Sequence, residues 1–302
     1  MLIGICTAVV AVADPAAAPQ ADRLILVTGA TGTQGGAVAR ELLARGYRVR
    51  GLTRNPGKPK AVALAALGVQ MVQGSFDDPA SLEAAMAGTY GVFAVTEWRQ
   101  NGVDKEIVHG RALVDAAGAA GVRHFVYTSV AGADEQTGVP HFDSKYVVEQ
   151  YLAQSGLAWS VVRPVSFMDN WEWDREDFLA GRFVDPGEPD QRNQWIAAAD
   201  IAFFVGEALD NPQEWNGRAL DIAGDGMTLA EFAALLSVVL DRPVEYVQVS
   251  WADYESAAGE ELTIMYRWFA SDGYSVDIDA LRERYPKLTA AEEFLRAMEW
   301  GE

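Results

Sequence analysis

Gly29, Gly32 and Gly35 stand three residues apart in Thr28-Gly-Ala-Thr-Gly-Thr-Gln-Gly35. They follow the apolar run Leu24-Ile25-Leu26-Val27 and precede a helical pattern with Val38, Leu42 and Leu43 on one face. The order of strand, turn and helix makes a phosphate cradle. The first glycine permits a tight exit from the strand, and the second leaves no side chain between backbone and phosphate. The third lets the helix pack on the sheet, with its N-terminal N–H groups and positive dipole end facing the anion.

A second group of residues selects the anion. The next strand ends in Thr53-Arg54-Asn55-Pro56-Gly57-Lys58-Pro59-Lys60, without an acid in that span. An acid there would hold a ribose 2′-hydroxyl, whereas a basic residue accommodates a 2′-phosphate. Arg54 offers a planar fork and Lys58 a point charge, so NADP(H) is expected over NAD(H). After the third strand, Asp77 is placed to accept from the adenine amino group, although either Asp77 or Asp78 should cap the following helix. After the fourth, topology puts Thr96 and Glu97 beside the central ribose and phosphates.

Redox chemistry on such a scaffold needs a hydrogen-bond donor near the substrate carbonyl and a cation at the nicotinamide ribose. Strand five ends in Tyr127-Thr128-Ser129, at the carboxyl edge where such sites lie. In Val139-Pro140-His141-Phe142-Asp143-Ser144-Lys145-Tyr146, His141 and Lys145 are four apart and share a face if the helix begins early enough. Lys145 can hydrogen-bond a ribose, and its charge would lower the pKa of a neighbouring acid. Phe167, Trp171 and Trp173 would either line a pocket for a flat substrate or form the core of a small lobe.

Short apolar runs alternating with helix-period segments must position these groups. The strands are expected at Leu24–Thr28, Tyr47–Thr53, Val69–Gln73, Gly91–Val95, His124–Ser129 and Ala158–Val162. This predicts an α/β fold, a doubly wound parallel sheet of the Rossmann type with a smaller C-terminal α+β lobe. Residues 23–164 form the dinucleotide-binding domain. Residues 165–302 form mostly the small lobe, with 199–222 returning to the main sheet. Residues 1–22 are expected to be a disordered leader and linker.

Of the 302 residues, 50% are hydrophobic and 22% charged, and the net charge is −19. Such an acidic surface disfavours contact with a phosphate backbone, so direct nucleic-acid binding is not expected. Cys6 is the single cysteine, and His109, His124 and His141 show no ligand spacing; neither a disulfide within the chain nor a metal site is expected. The apolar segment before Asp14 lacks a positive n-region and is too short for a membrane helix. A cytoplasmic location is expected, with export as the alternative if that segment is a signal.

Thr28–Gly35, Thr53-Arg-Asn-Pro56, Val139-Pro-His-Phe-Asp-Ser-Lys145 and Arg163-Pro-Val-Ser-Phe-Met-Asp-Asn170 together resemble the NmrA-like family. These are atypical short-chain dehydrogenase/reductases that include fungal nitrogen regulators and a human NADPH sensor. Trp195-Ile-Ala-Ala-Ala-Asp-Ile201, Ala223-Gly-Asp-Gly-Met-Thr-Leu229 and Trp268-Phe-Ala-Ser-Asp-Gly-Tyr274 extend the resemblance over residues 23–300. It implies that Gly29, Thr31, Gly32, Thr33, Gln34 and Gly35 line a pyrophosphate, with Arg54 and Lys58 on the 2′-phosphate and Lys145 at the nicotinamide ribose. Ordinary short-chain dehydrogenases carry Tyr-x-x-x-Lys; here His141 occupies the tyrosine position, and Tyr146 lies on another helix face. The expected function is therefore an NADP(H)-binding redox sensor or regulator with little or no turnover, acting on a protein partner under redox control. The alternative is an NADPH-dependent reductase of quinones or other conjugated carbonyls, in which water, His141 or Lys145 is the proton source.

Overall fold

The computed structural model describes residues 20–300. The strands β1 (Leu24–Val27), β2 (Arg48–Thr53), β3 (Gln70–Gln73), β4 (Gly91–Ala94), β5 (His124–Thr128) and β6 (Trp159–Pro164) alternate with helices. Those helices are α1 (Thr33–Ala44), α2 (Pro59–Ala66), α3 (Pro79–Met86), α4 (Val103–Ala119) and α5 (Pro140–Gln154). The inner strands are apolar along their length because helices cover both faces. In β1, Ile25 and Val27 face the cluster that holds Val38 and Leu42 of α1. Leu26 faces the opposite cluster with Leu82, Leu113, Val148 and Leu152.

Beyond β6 come β7 (Ser166–Phe167), α6 (Arg175–Leu179), β8 (Arg182–Asp185), β9 (Arg192–Ile196), α7 (Ala198–Asp210), α8 (Pro212–Trp215) and β10 (Arg218–Ile222). β10 joins the main sheet, whose order is β10-β6-β5-β4-β1-β2-β3 with every pair parallel. The order reverses between β1 and β4, which opens the crevice where a dinucleotide lies. α7 packs Phe204, Val205 and Leu209 into the same cluster as α1.

The small lobe contains β11 (Asp225–Thr228), α9 (Leu229–Val239), β12 (Glu245–Gln248), α10 (Trp251–Ala258), α11 (Glu260–Ser271), α12 (Ile278–Arg284) and α13 (Ala291–Ala297). Two short sheets, β11-β9-β7 and β12-β8, frame a core of Met168, Trp171, Phe178, Trp195, Phe232 and Leu295. Thr228 and Glu231 form a reciprocal capping box that fixes the start of α9. Val139 and Phe142 at the start of α5 meet Trp268 and Phe269 of α11, joining the lobe to the site-bearing helix.

The leader expectation falls mostly outside the described residues. Gln20–Asp22 form a short 3-10 turn, and the Gln20 amide donates to Asp210 at the end of α7. Among the described residues no helix is long and apolar enough to cross a membrane.

Candidate active site

The glycine turn is built as its spacing requires. Gly29 has φ +58°, a left-handed conformation, and a Cβ there would lie 2.6 Å from Val95 Cγ1. At Gly35 a Cβ would lie 2.3 Å from the Gly29 carbonyl oxygen, so α1 reaches the turn only because that side chain is absent. Gly32 caps α1 without a side-chain acceptor, which leaves the first N–H groups, those of Thr33, Gln34 and Gly35, open to an anion. The Gln34 side chain itself turns inward and donates to Thr128 Oγ1 at 2.7 Å. Thr31 and Thr33 flank the exposed edge of the turn. From there an open groove of about 660 Å³ runs along α1 to Arg40 and is bounded by Lys60 of α2 and Asp169 beside α7.

Arg54 and Lys58 are exposed on the β2–α2 loop, whose turn is set by Asn55 Oδ1 accepting from Gly57 N at 2.9 Å. Neither makes an ion pair among the described residues, so both charges are available to a ligand. Asp78 is the aspartate that caps α3, accepting from Ser81 N. Asp77 is 57% exposed and receives Lys105 at 2.9 Å and His109 at 3.1 Å on one oxygen. Those two donors hold its carboxyl below the usual range. These residues fit an adenine dinucleotide with a 2′-phosphate. They supply a side-chain-free pyrophosphate turn, an uncapped helix start and two unpaired cations where the phosphate would lie.

Lys145 lies where the nicotinamide ribose is expected, and its surroundings hold a residue the sequence reading missed. Its Nζ donates to Glu106 Oε1 at 2.7 Å, and Glu106, in the first turn of α4, has no exposed surface. Thr96 Oγ1 donates to the same oxygen at 2.8 Å, and Ser144 Oγ donates to Oε2 at 2.5 Å. Because Thr96 gives its proton to Glu106, the Tyr127 hydroxyl 3.0 Å away donates to Thr96. Burial alone would push the Glu106 carboxyl up. The Lys145 charge and the bonds from Lys145, Ser144 and Thr96 outweigh it, leaving the group below the ordinary carboxylate range. Thr96 is thus a buried strut of this network. Glu97 turns outward and caps Gln100 N.

α5 begins at Pro140, early enough to put His141 and Lys145 one turn apart on one face. His141 is 5% exposed and stacks on Trp98 with ring centroids 4.2 Å apart at 15°. Its Nδ1 lies 3.2 Å from Glu261 Oε1 of α11. Burial first, and then the nearby Lys145 charge, push the imidazole down to about 3, so it is neutral at physiological pH. Ser129, at the carboxyl end of β5, is 5% exposed, and its hydroxyl has no hydrogen-bond partner among the described residues.

Of the two roles left open for Trp171, pocket wall or lobe core, the structure places it in the core: it is 4% exposed and packs on Trp195, Phe232 and Phe294 at centroid distances of 5.7, 4.8 and 5.6 Å. The small lobe has few elements, and this indole fills its centre. Phe167 is half-buried on β7 against the main core. The exposed aromatic is Trp173, at 67%, with the Arg99 guanidinium over its ring at 4.9 Å and over Trp98 at 5.5 Å.

A parallel sheet with this strand order, a glycine cradle after β1, and a lysine four residues beyond a histidine that stands where ordinary dehydrogenases carry tyrosine define an atypical dehydrogenase-like dinucleotide fold. A model of the NmrA-like family matches residues 21–295, and the chain belongs to that family. It is 35% identical over 230 residues to an NAD(P)H azoreductase of Xenophilus azovorans, covering 75% of this chain and 77% of that protein. Its fold is similar to that of an Escherichia coli NADPH-dependent quinone oxidoreductase in complex with NADPH. The TM-score there is 0.79 with 25% identity over 90% of this chain and 98% of the other. Its fold is also similar to that of the negative transcriptional regulator NmrA in complex with NADP, with a TM-score of 0.78 and 24% identity over 93% and 99% of the two chains.

Proposed function

We propose that the chain binds NADP(H) through the Gly29–Gly35 turn, Arg54, Lys58 and Lys145, and uses the bound cofactor to reduce small conjugated carbonyl compounds of the quinone type. The observation that carries the reading is the Ser129 hydroxyl, buried at the carboxyl end of β5 without a hydrogen-bond partner among the described residues. A buried hydroxyl without a bond costs about 1–3 kcal/mol, and a carbonyl oxygen set against it would accept that bond. Bound NADPH would supply the hydride. Lys145 orients the ribose, Ser129 polarises the acceptor, and the Trp98 ring, stacked on His141 one helical turn before Lys145, offers a flat face for the acceptor ring. A quinone reduced by hydride is a stabilised anion that solvent can protonate, so a tyrosine acid is not required. The azoreductase relative supports this reading.

The sensor reading keeps one specific observation in its favour: His141, in the tyrosine position, is neutral and tied to Glu261, so it is no ready acid. A quinone panel with NADPH separates the two. Steady cofactor oxidation supports the reductase; tight NADPH binding without oxidation, together with NADPH-dependent capture of a protein partner, overturns it.

A further inference from the structure

We infer that the site selects conjugated acceptors that carry their own hydrogen-bond donor, an amino or hydroxyl group, which docks on Nε2 of His141 while the ring stacks beside Trp98. This rests on the reductase reading for the identity of the acceptor, but the recognition is built from the chain's own atoms. Glu261 keeps a third of its side chain in solvent and is a carboxylate at neutral pH. A carboxylate only accepts, so the hydrogen of the neutral imidazole lies on Nδ1, pointing at Glu261 Oε1 across 3.2 Å. Nε2 is left with a lone pair.

That lone pair is unused. Nε2 makes no hydrogen bond among the described residues, and the His141 side chain keeps 6% of its surface in solvent. The Trp98 stack at 4.2 Å and the edge contact to Phe142 at 4.9 Å hold the ring against turning to satisfy it. Nor does the imidazole become a cation to avoid the problem. Burial, the Lys145 charge and Arg99 oppose protonation, and they outweigh the two carboxylates that favour it, Glu106 and the Glu261 oxygen on Nδ1. The charged groups facing the ring therefore keep Nε2 an acceptor. Glu261 comes from α11 of the small lobe, 120 residues away in sequence, so the lobe sets the polarity of the site. The tyrosine of an ordinary dehydrogenase donates from this position; here the same position accepts. A ligand atom that is itself an acceptor would meet a like lone pair there, and one with an N–H or O–H would complete the bond.

The test uses the full chain loaded with NADP⁺, so that no turnover occurs, and follows tryptophan quenching by three probes. These are an aminonaphthoquinone, its methoxy counterpart and unsubstituted naphthoquinone. The amino compound should bind about five- to tenfold tighter than the methoxy compound, the value of one neutral hydrogen bond. His141→Phe, which keeps a stacking ring, should erase that preference and leave methoxy binding in place. Glu261→Gln, whose amide can donate to Nδ1 and move the hydrogen to Nε2, should narrow it even if His141→Phe fails to fold. Nitrogen NMR of the imidazole gives a second readout, with Nε2 expected to be unprotonated. A protonated Nε2, or equal affinity for the amino and methoxy probes, overturns the inference. None of these measurements depends on cofactor oxidation, so they stand apart from the outcome of the activity assay.

Discussion

Lys145 Nζ lies 2.7 Å from the carboxylate of Glu106, and that carboxylate has no exposed surface. The pair reaches across from α5 to α4 and is closed by Thr96 and Ser144, so every Glu106 oxygen is satisfied. A buried ion pair of this kind adds little net stability, but removing one partner strands the other. It therefore acts as the fixture that holds Lys145, the lysine proposed to orient the cofactor ribose, in place.

Glu106→Gln should destabilise the fold by about 3 kcal/mol, the cost of leaving a buried charge uncompensated. It should also weaken NADPH binding by loosening Lys145. Urea unfolding and a fluorescence titration on the same variant check both effects. An unchanged midpoint with unchanged affinity would remove Glu106 from the account.

Arg54→Ala should weaken NADPH binding by about tenfold or more and leave NADH binding nearly unchanged, because a charge-assisted bond to a phosphate contributes about 1.5–3 kcal/mol. Lys58→Ala should act in the same sense with a smaller effect, as it brings a point charge without a fork. Parallel titrations with the two cofactors read the ratio directly. If the ratio is unchanged in Arg54→Ala, the phosphate assignment is wrong.

Gly35→Ala should abolish cofactor binding while the chain still folds with reduced stability. Its Cβ would sit 2.3 Å from the Gly29 carbonyl oxygen, so α1 must shift away from the turn. Strain of this kind costs about 1–3 kcal/mol. A melting curve together with a titration separates loss of the cradle from loss of the fold.

Stability should fall in acid partly through His124. It is fully buried, bonds Ser160 Oγ through Nε2 at 2.7 Å, and its Nδ1 has no partner among the described residues. Burial pushes its pKa from 6.5 down to about 4. The unfolded chain therefore takes up a proton that the folded chain refuses, and stability is lost as pH falls through that window, by roughly 3 kcal/mol in all. Asp185 and Asp221, raised by burial to about 6, act oppositely, losing stability as pH rises toward that value. The comparison is thus wild type against His124→Asn. The wild-type advantage should shrink as pH drops from 6.5 to 4, and a pH-independent difference would show that His124 is not held neutral.

The parallel sheet and the cradle were legible because their signals are local: Leu24–Val27, then Gly29, Gly32 and Gly35, then the period of α1. The shared face of His141 and Lys145 followed from their spacing once Pro140 opened the helix. Glu106 was not legible, because an acid in the first turn of a helix ordinarily complements the dipole in solvent, and nothing local shows that this one is buried. Glu261 was invisible for another reason: its contact with His141 spans 120 residues and depends on where α11 docks. Trp171 left two readings open in the sequence, and packing against Trp195 and Phe232 decided for the core.

The most direct test of the proposed activity is a steady-state assay of NADPH oxidation with naphthoquinone in the wild type, Lys145→Ala and Ser129→Ala. Turnover in the wild type is expected, with a loss of about a hundredfold or more in Lys145→Ala and about tenfold to a hundredfold in Ser129→Ala, where a polarising donor is removed. Tight NADPH binding with no oxidation of the cofactor by any quinone would contradict the reductase account.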